Sequence, residues 1–427
     1  MVPDGWELIG LGDVCPTKNG LQTGPFGSQL HASDYVDDGI PVVMPKDMLN
    51  GRISTATIAR IPPAKAEEVA KHKLEIGDIV FSRRGDLGRF AVVQKENIGW
   101  VCGTGCMRAR LNDEVSPDFV FCQLSTHGTV RWLENNAVGQ TMPNLNTEIL
   151  SQLPLPLPPL PEQRKIAAIL STWDRAIELT ERLIAAKQKR KQALMQQLLT
   201  GKVRFAEFGF PAQSADDLPK GWLRIHIEDV ADINAMSLSE SSTPAESEYF
   251  YIDLGSVDSG TVIMPTTRVR FADLPSRARR RMKRGDVILA TVRPNLNGHF
   301  RCTFEAEEYV CSTGFAVMTP KTSTDSLFLY QFLFSQLAAR QFAAILTGSN
   351  YPALNASDVC RLRIAWPQRP EEREKIGAVL DSADQEVVRL RRRAIHLQQQ
   401  KKGLMQQLLT GKVRVNVDDN TTKEAVE

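Results

Sequence analysis

The chain has 427 residues, 42% hydrophobic and 24% charged, with a formal net charge of +2, a composition that suits a globular protein of two to four domains and excludes wholesale disorder. No run of 18 apolar residues occurs, so no membrane span is expected, and the opening MVPDGWELIG lacks the basic-then-apolar pattern of a secretory signal. The cysteines, odd in number and scattered (Cys15, Cys102, Cys106, Cys122, Cys302, Cys311, Cys360), point to reduced thiols in a cytoplasm and not to a disulfide framework.

Along the chain, residues 1–160 read as mixed structure dominated by short strands. KLEIGDIVFSRRG looks like a turn, a buried strand and a polar loop, and SPDFVFCQLSTHGTVRWL (116–133) like short amphipathic helices. A proline cluster, LPLPLPPLPEQ (153–163), then precedes a helical stretch, residues 161–205. Its apolar residues recur at spacings of four and three: Ile166, Leu170, Trp173, Ile177, Ile184, Leu194 and Leu198, with Thr180, Lys187 and Lys191 in the same seam. Residues 206–369 return to mixed structure, with MKRGDVILATVR as a second strand and loop and DSLFLYQFLFSQLAARQFAAIL (325–346) as helices. A second helical stretch, residues 370–415, repeats the seam through Ile376, Leu380, Ala383, Val387, Leu390, Ala394, Leu397, Leu404 and Leu408, with Lys401 among them. A tail, residues 416–427, is expected to be flexible. More than four heptads of this pattern predict a coiled coil. Because one chain supplies both helices, they are expected to pair antiparallel within the molecule; pairing with other subunits is the alternative.

The chain is written twice. LMQQLLTGKVR at 194–204 recurs identically at 404–414, and PEQRKIAAIL (161–170) answers PEEREKIGAVL (370–380) with one inserted residue. Upstream the match weakens but keeps its order. DGWELIGLGDV (4–14) answers KGWLRIHIEDV (220–230), and IGDIVFSRRGDLGRF (76–90) answers RGDVILATVRPNLNGHF (284–300). VCGTG (101–105) answers VCSTG (310–314), and MPNLN (142–146) answers YPALN (351–355). Similar helical parts and divergent remainders imply a shared partner for the former and different targets for the latter. Positive charge also sits in the helical stretches, with ten Lys/Arg against four acids in 162–204 and ten against six in 371–414. Solvated helix faces or a nucleic-acid track would each account for it.

The paired LPLPPLPEQRKIAAIL…LMQQLLTGKVRF blocks resemble the conserved helical regions of type I restriction-modification specificity subunits. TGPFGSQLHASDY (23–35), GDIVFSRRGDLGR and GQTMPNLN resemble one class of their target recognition domains, and the resemblance runs over about residues 4–415. It implies an α+β fold: two target recognition domains (1–160 and 206–369) of mixed α/β structure, joined by two long helices in an antiparallel coiled coil, with pseudo-two-fold internal symmetry. It further implies a non-catalytic, cytoplasmic subunit that binds double-stranded DNA with a bipartite target. Each domain would read one half, and the helices would set the gap and dock two modification (methyltransferase) subunits, with restriction/translocase subunits joining in the full complex. No cofactor or metal is expected on this chain; S-adenosylmethionine would sit on the modification subunits, ATP and Mg on the restriction subunits.

With DNA as the expected partner, the polar loops supply candidate contacts. Arg83 and Arg84 follow a buried-looking strand, and one could fork onto guanine while the other holds a phosphate; a salt bridge with Asp86 is the alternative. In the second copy Arg293, Asn295, Asn297 and His299 occupy the corresponding loop, and asparagine suits the N6/N7 edge of adenine. Thr23, Gly24, Phe26 and Ser28 form a Gly-rich stretch that lets backbone approach a phosphate or makes a plain turn. Thr141, Asn144 and Asn146, with Ser349, Asn350, Tyr351 and Asn355 opposite, are candidates of the same kind. The run Arg277–Arg284 is a phosphate clamp or a solvated helix end, and Trp6 and Trp222 are expected in the core. The lysines of the helical seam, Lys187, Lys191 and Lys401, are expected to set register, with DNA phosphates as the alternative partner. Two other function classes stay open, a self-contained DNA-modifying enzyme and a coiled-coil adaptor. The chain has neither an Asn/Asp-Pro-Pro-aromatic tetrapeptide nor a GxxxxGK[ST] loop, which speaks against the enzyme.

Overall fold

The computed structural model describes residues 2–139, 143–214, 217–346 and 353–417. It divides into two units that each draw on both copies of the repeat: Met1–Leu179 with Ala394–Glu427, and Thr180–Arg393.

In the first unit, strand Glu7–Gly10 pairs antiparallel with Pro154–Leu157 and ties the start of the copy to its end. Between them lies a four-stranded sheet in the order Leu21–Thr23, Cys106–Ala109, Ile79–Ser82, Phe90–Val92. A three-stranded sheet of Ala59–Ile61, Ile40–Val43 and Val101–Cys102 accompanies it. The run IVFS is buried throughout because it is covered on both faces. Ile79 and Phe81 join the core formed with Met107, Val120 and Leu124, while Val80 points the other way, toward Ala91, Cys102 and Cys106. Helices Pro117–Leu124 and His127–Asn136 begin at Ser116 and Thr126, whose hydroxyls accept from backbone N–H groups three residues on.

The second unit repeats this plan. Trp222–His226 pairs with Arg363–Pro367, and the four-stranded order is Ala231–Ile233, Phe315–Pro320, Val287–Ala290, Phe300–Arg301. Val287 and Leu289 face the core of Phe328, Leu329 and Phe332, and Ile288 and Ala290 face that of Phe300 and Phe315. One difference corrects an expectation: the basic run at 277–284 is not a helix end. Ala278–Arg281 is a strand against Tyr309–Ser312, added at the edge of the second sheet of this unit. Its arginines are spent within the unit, Arg280 Nη1 on Ser237 Oγ at 3.2 Å and Arg281 Nη2 on the Glu307 carbonyl at 3.2 Å.

The long helices are Leu160–Leu198 and Pro370–Leu408, each 39 residues and roughly 58 Å long at 1.5 Å per residue. Within each unit they run antiparallel, since partners rise along one helix as they fall along the other. Lys187 meets Glu386 at 2.6 Å and Lys191 meets Asp384 at 2.5 Å in the second unit, and Lys401 meets Asp174 at 2.5 Å in the first. The seam lysines therefore set register. Ile166, Leu170 and Leu198 and, opposite, Ile376, Leu380, Val387, Ala394 and Leu408 are buried as the heptads predict.

Each helix is anchored at its first turn by a buried glutamate. Arg204, which closes the first copy, places Nε and Nη2 on the two oxygens of Glu372 at 2.7 and 2.8 Å and Nη1 on the Lys220 carbonyl at 2.9 Å. Trp222 Nε1 donates to the same carboxylate at 3.1 Å. Arg414, which closes the second copy, grips Glu162 in the same fork at 2.8 and 2.7 Å and reaches the Asp4 carbonyl at 2.6 Å. Trp6 and Trp222, both buried, are core as expected. The forks differ in exposure: the Arg204 and Glu372 side chains are 4% and 0% exposed, whereas Arg414 is 44% exposed.

Removing one partner of a buried pair strands the other charge, at a cost of about 3 kcal/mol. Glu372→Gln is therefore expected to lower the unfolding free energy of the second unit by about that amount in urea titrations. Glu162→Gln should cost clearly less, because water reaches Arg414. Equal losses, or none, would contradict the assignment.

Candidate nucleic-acid interface

In the first unit the candidate residues gather at one end of the four-stranded sheet. Cys106 is opposite Ser82, and Met107 opposite Thr23, so the segments after Thr23 and Ser82 and before Cys106 leave the sheet together. Gly24 N donates to the Cys106 carbonyl at 2.9 Å, and Arg83 N to the Gly105 carbonyl at 2.9 Å. Gly24 is buried so tightly that a Cβ there would stand 1.9 Å from the Gly103 carbonyl oxygen; the glycine is required by this approach. Thr23 is half-buried, while Phe26 and Ser28 are exposed, Phe26 to 58%.

The MPNLN segment is knitted to the same place. Leu145 N donates to the Arg83 carbonyl at 3.0 Å, Arg83 Nε donates to the Leu145 carbonyl at 3.3 Å, and Arg84 forms an isolated bridge with Asn144. Arg84 is exposed and pairs with no acid among the described residues. The salt bridge weighed for Asp86 goes to Arg89, at 2.8 Å. Asn144 is half-buried, its Oδ1 enclosed without a hydrogen-bond partner among the described residues. Asn146 is occupied structurally: its Oδ1 caps the helix Thr147–Ser151 by accepting from Ile149 N at 2.7 Å. Asn355 caps Ala356–Cys360 in the same way. Thr141, Ser349, Asn350 and Tyr351 lie outside the described residues.

The second unit places its loop at the matching end of the matching sheet, where Ala290 is opposite Phe315. Leu354 N donates to the Thr291 carbonyl at 2.9 Å, as Leu145 N does to Arg83. Thr291 therefore stands where Arg83 stands, and Arg293 stands at the position of Gly85. Both backbones are left-handed there, with φ of 50° at Arg293 and 76° at Gly85. Arg293, Asn295 and Asn297 are exposed around the turn Pro294–Leu296. A cleft of about 480 Å³ beside this turn is lined by Asn295 and Asn297 together with Phe334, Phe342 and Leu346.

His299 departs from its expected place on the DNA-facing surface. It is 0% exposed, its Nδ1 accepts from Ala290 N at 3.2 Å, and its ring packs edge-on against Phe334 with centroids 5.4 Å apart. A side chain so enclosed is core. Sequence reasoning missed Leu296, 63% exposed between Asn295 and Asn297; an apolar residue flanked by asparagines in a loop was the available signal.

Burial pulls the His299 imidazole from the usual 6.5 down to about 4. The unfolded chain then takes up a proton near pH 6.5 that the folded chain refuses until about pH 4. The contribution to stability is complete above pH 6.5 and is lost as pH falls toward 4, by about 3 kcal/mol in all. Urea midpoints measured from pH 7.5 to 4.5 should fall less steeply for His299→Phe than for the parent chain. Parallel curves would mean that His299 is not held neutral.

Comparison with known proteins agrees with this geometry. A family model described as the type I restriction modification DNA specificity domain matches residues 3–187 and again 219–396. The MjaVIII type I restriction enzyme specificity subunit of Methanocaldococcus jannaschii is 24% identical over 426 residues, covering 97% of this chain and 94% of that one. The HindI specificity subunit of Haemophilus influenzae is 27% identical over 245 residues, 56% of this chain and 49% of its own. Among solved structures, the type I restriction-modification S subunit from M. genitalium superposes with a TM-score of 0.59 at 16% identity, covering 95% of this chain and 96% of that one. A chain from a study of complex assembly and conformational transition in the type I system gives 0.56 at 22%, with 97% and 100% covered. Both likenesses concern the fold.

Proposed function

Because this chain belongs to the type I restriction-modification DNA specificity family, with the specificity domain present twice, we propose that each unit reads one half of a split double-stranded DNA target. One observation carries the reading: equivalent ends of equivalent sheets present different exposed side chains, on a scaffold whose two long helices have equal length and close on the same LMQQLLTGKVR sequence. Phe26, Ser28 and Arg84, with Thr23, Gly24, Arg83 and Asn144 around them, form the reading surface of the first unit, and Thr141 is added to it from the sequence alone. Arg293, Asn295 and Asn297 form that of the second, and Ser349, Asn350 and Tyr351 are added to it from the sequence alone. Arginine and asparagine are the side chains that match guanine and adenine edges bidentately in the major groove.

The chain is a reader and carries no chemistry of its own. Two modification subunits supply S-adenosylmethionine and methyl transfer, and restriction/translocase subunits supply ATP-driven work with Mg. The helix pair is their platform and also the ruler between half-targets, for residues 161–205 and 370–415 separate the recognition domains 1–160 and 206–369.

Replacing residues 206–369 with another recognition domain is expected to change one half of the target and leave the other intact, as read by methylome sequencing. If both halves changed, the units would not be independent readers. Inserting one heptad after Ala185 and one after Ile395 keeps the seam in register and lengthens each helix by about 10 Å. That corresponds to about three base pairs of rise, and about 100° of twist that the DNA or the units must absorb. The preferred gap should therefore widen, by one to three base pairs as roughly set by that strain, while both half-target sequences stay the same. An unchanged gap in an active, lengthened protein would show that something other than the helices sets it.

A further inference from the structure

The second unit carries an arginine where its own repeat carries a glycine, in a backbone conformation made for glycine. Gly85 and Arg293 occupy the third place after their strands, and both are left-handed. Among the described residues six non-glycines have positive φ: Asn19, Asn50, Asn234 and Asn297, then Ser259 and Arg293. Asparagine adopts this region readily; a long side chain does so against the clash of its Cβ with the backbone. The next residue, Pro294, adds to the cost, because its ring crowds the Cβ of whatever precedes it.

Among the described residues no side-chain contact repays that strain. The Arg293 side chain is exposed and makes no hydrogen bond or ion pair with any described residue, unlike Arg268, Arg270, Arg279 and Arg284 of the same unit, each of which pairs with an acid. A strained residue whose side chain has no described partner is a mark of function. The left-handed turn fixes the direction in which the side chain leaves the loop. A phosphate can be held by a lysine or a backbone N–H as well as by an arginine, whereas the two-pronged match to the O6 and N7 of guanine needs a directed fork.

We propose that Arg293 is the guanine-reading residue of the second unit's half-target. This rests on the reading of the chain as a split-target DNA reader. The test uses the chain assembled with its modification subunits and a selection from randomised double-stranded DNA, run for the parent, Arg293→Gly and Arg293→Lys. The parent should select a guanine in the second half-target. Arg293→Gly should lose the preference at that one position and bind the parent target about 10- to 100-fold more weakly, with the first half-target unchanged. The same variant, relieved of strain, should melt about 2 °C higher than the parent. Arg293→Lys keeps the charge and should still lose most of the preference for guanine.

Three results would overturn the proposal: guanine preference kept in the glycine variant, affinity lost uniformly across sequences with the preference intact, or a lowered melting temperature. The second would assign Arg293 to a phosphate, and the third would make it a structural residue. A parent complex that selects no split target at all would instead defeat the underlying reading, and this proposal with it.

Discussion

The forked pairing of an arginine with a buried glutamate, made twice, is the contact on which the rest of the molecule depends. Arg204 and Glu372 are 168 residues apart in sequence and Arg414 and Glu162 are 252 apart, so each pair joins the last residues of one copy to the first helical turn of the other. Each also reaches the carbonyl just before a buried tryptophan, at Lys220 and at Asp4. One side chain thus fixes a helix start, a helix end and the entry into the first strand of a recognition domain. Such pairs are costly to bury and still more costly to break. A shift of one helix by a heptad against the other would break both forks. The seam lysines Lys187, Lys191 and Lys401, each with its acid, repeat the constraint at intervals.

Against that fixed scaffold, the recognition domains differ where difference has a use. Both present a sheet end stitched by equivalent backbone bonds, Leu145 to Arg83 and Leu354 to Thr291. Identical stitching with unlike side chains is the arrangement expected of one fold aimed at two sequences. The first unit offers Arg84 and Phe26 from separate loops; the second offers Arg293, Asn295 and Asn297 from one tight turn beside an apolar-lined cleft. The strain at Arg293 and the apolar exposure of Leu296 sit at the same turn, which sets it apart from the caps and core residues around it.

Much of the fold was legible in the sequence because its signals are local or repetitive. The heptads of Ile166 to Leu198 and Ile376 to Leu408 specify a seam, and the buried strands at 79–82 and 287–290 follow from short apolar runs after Gly-Asp turns. What sequence hides is pairing across distance and burial of polar groups. Glu162 and Arg204 stand in polar stretches that read as surface, and only the fold reveals that they close on partners from the other copy. His299 follows an exposed loop, yet enters the core because Ala290 N and two phenylalanines enclose it. Three consecutive arginines mask the alternation of the strand at 278–281. Asn146 and Asn355 were readable as caps, since each is followed three residues later by the amide it accepts, but the polar-loop reading competed equally well.

The most direct test of the central claim is the shape of the DNA this chain chooses. The chain with its modification subunits would be offered long, fully randomised double-stranded DNA, and the bound fraction sequenced without assuming a motif. Two short conserved blocks separated by an unconserved stretch of constant length is the expected result. A single uninterrupted block, two blocks at freely varying separation, or no enrichment over the starting DNA would contradict it.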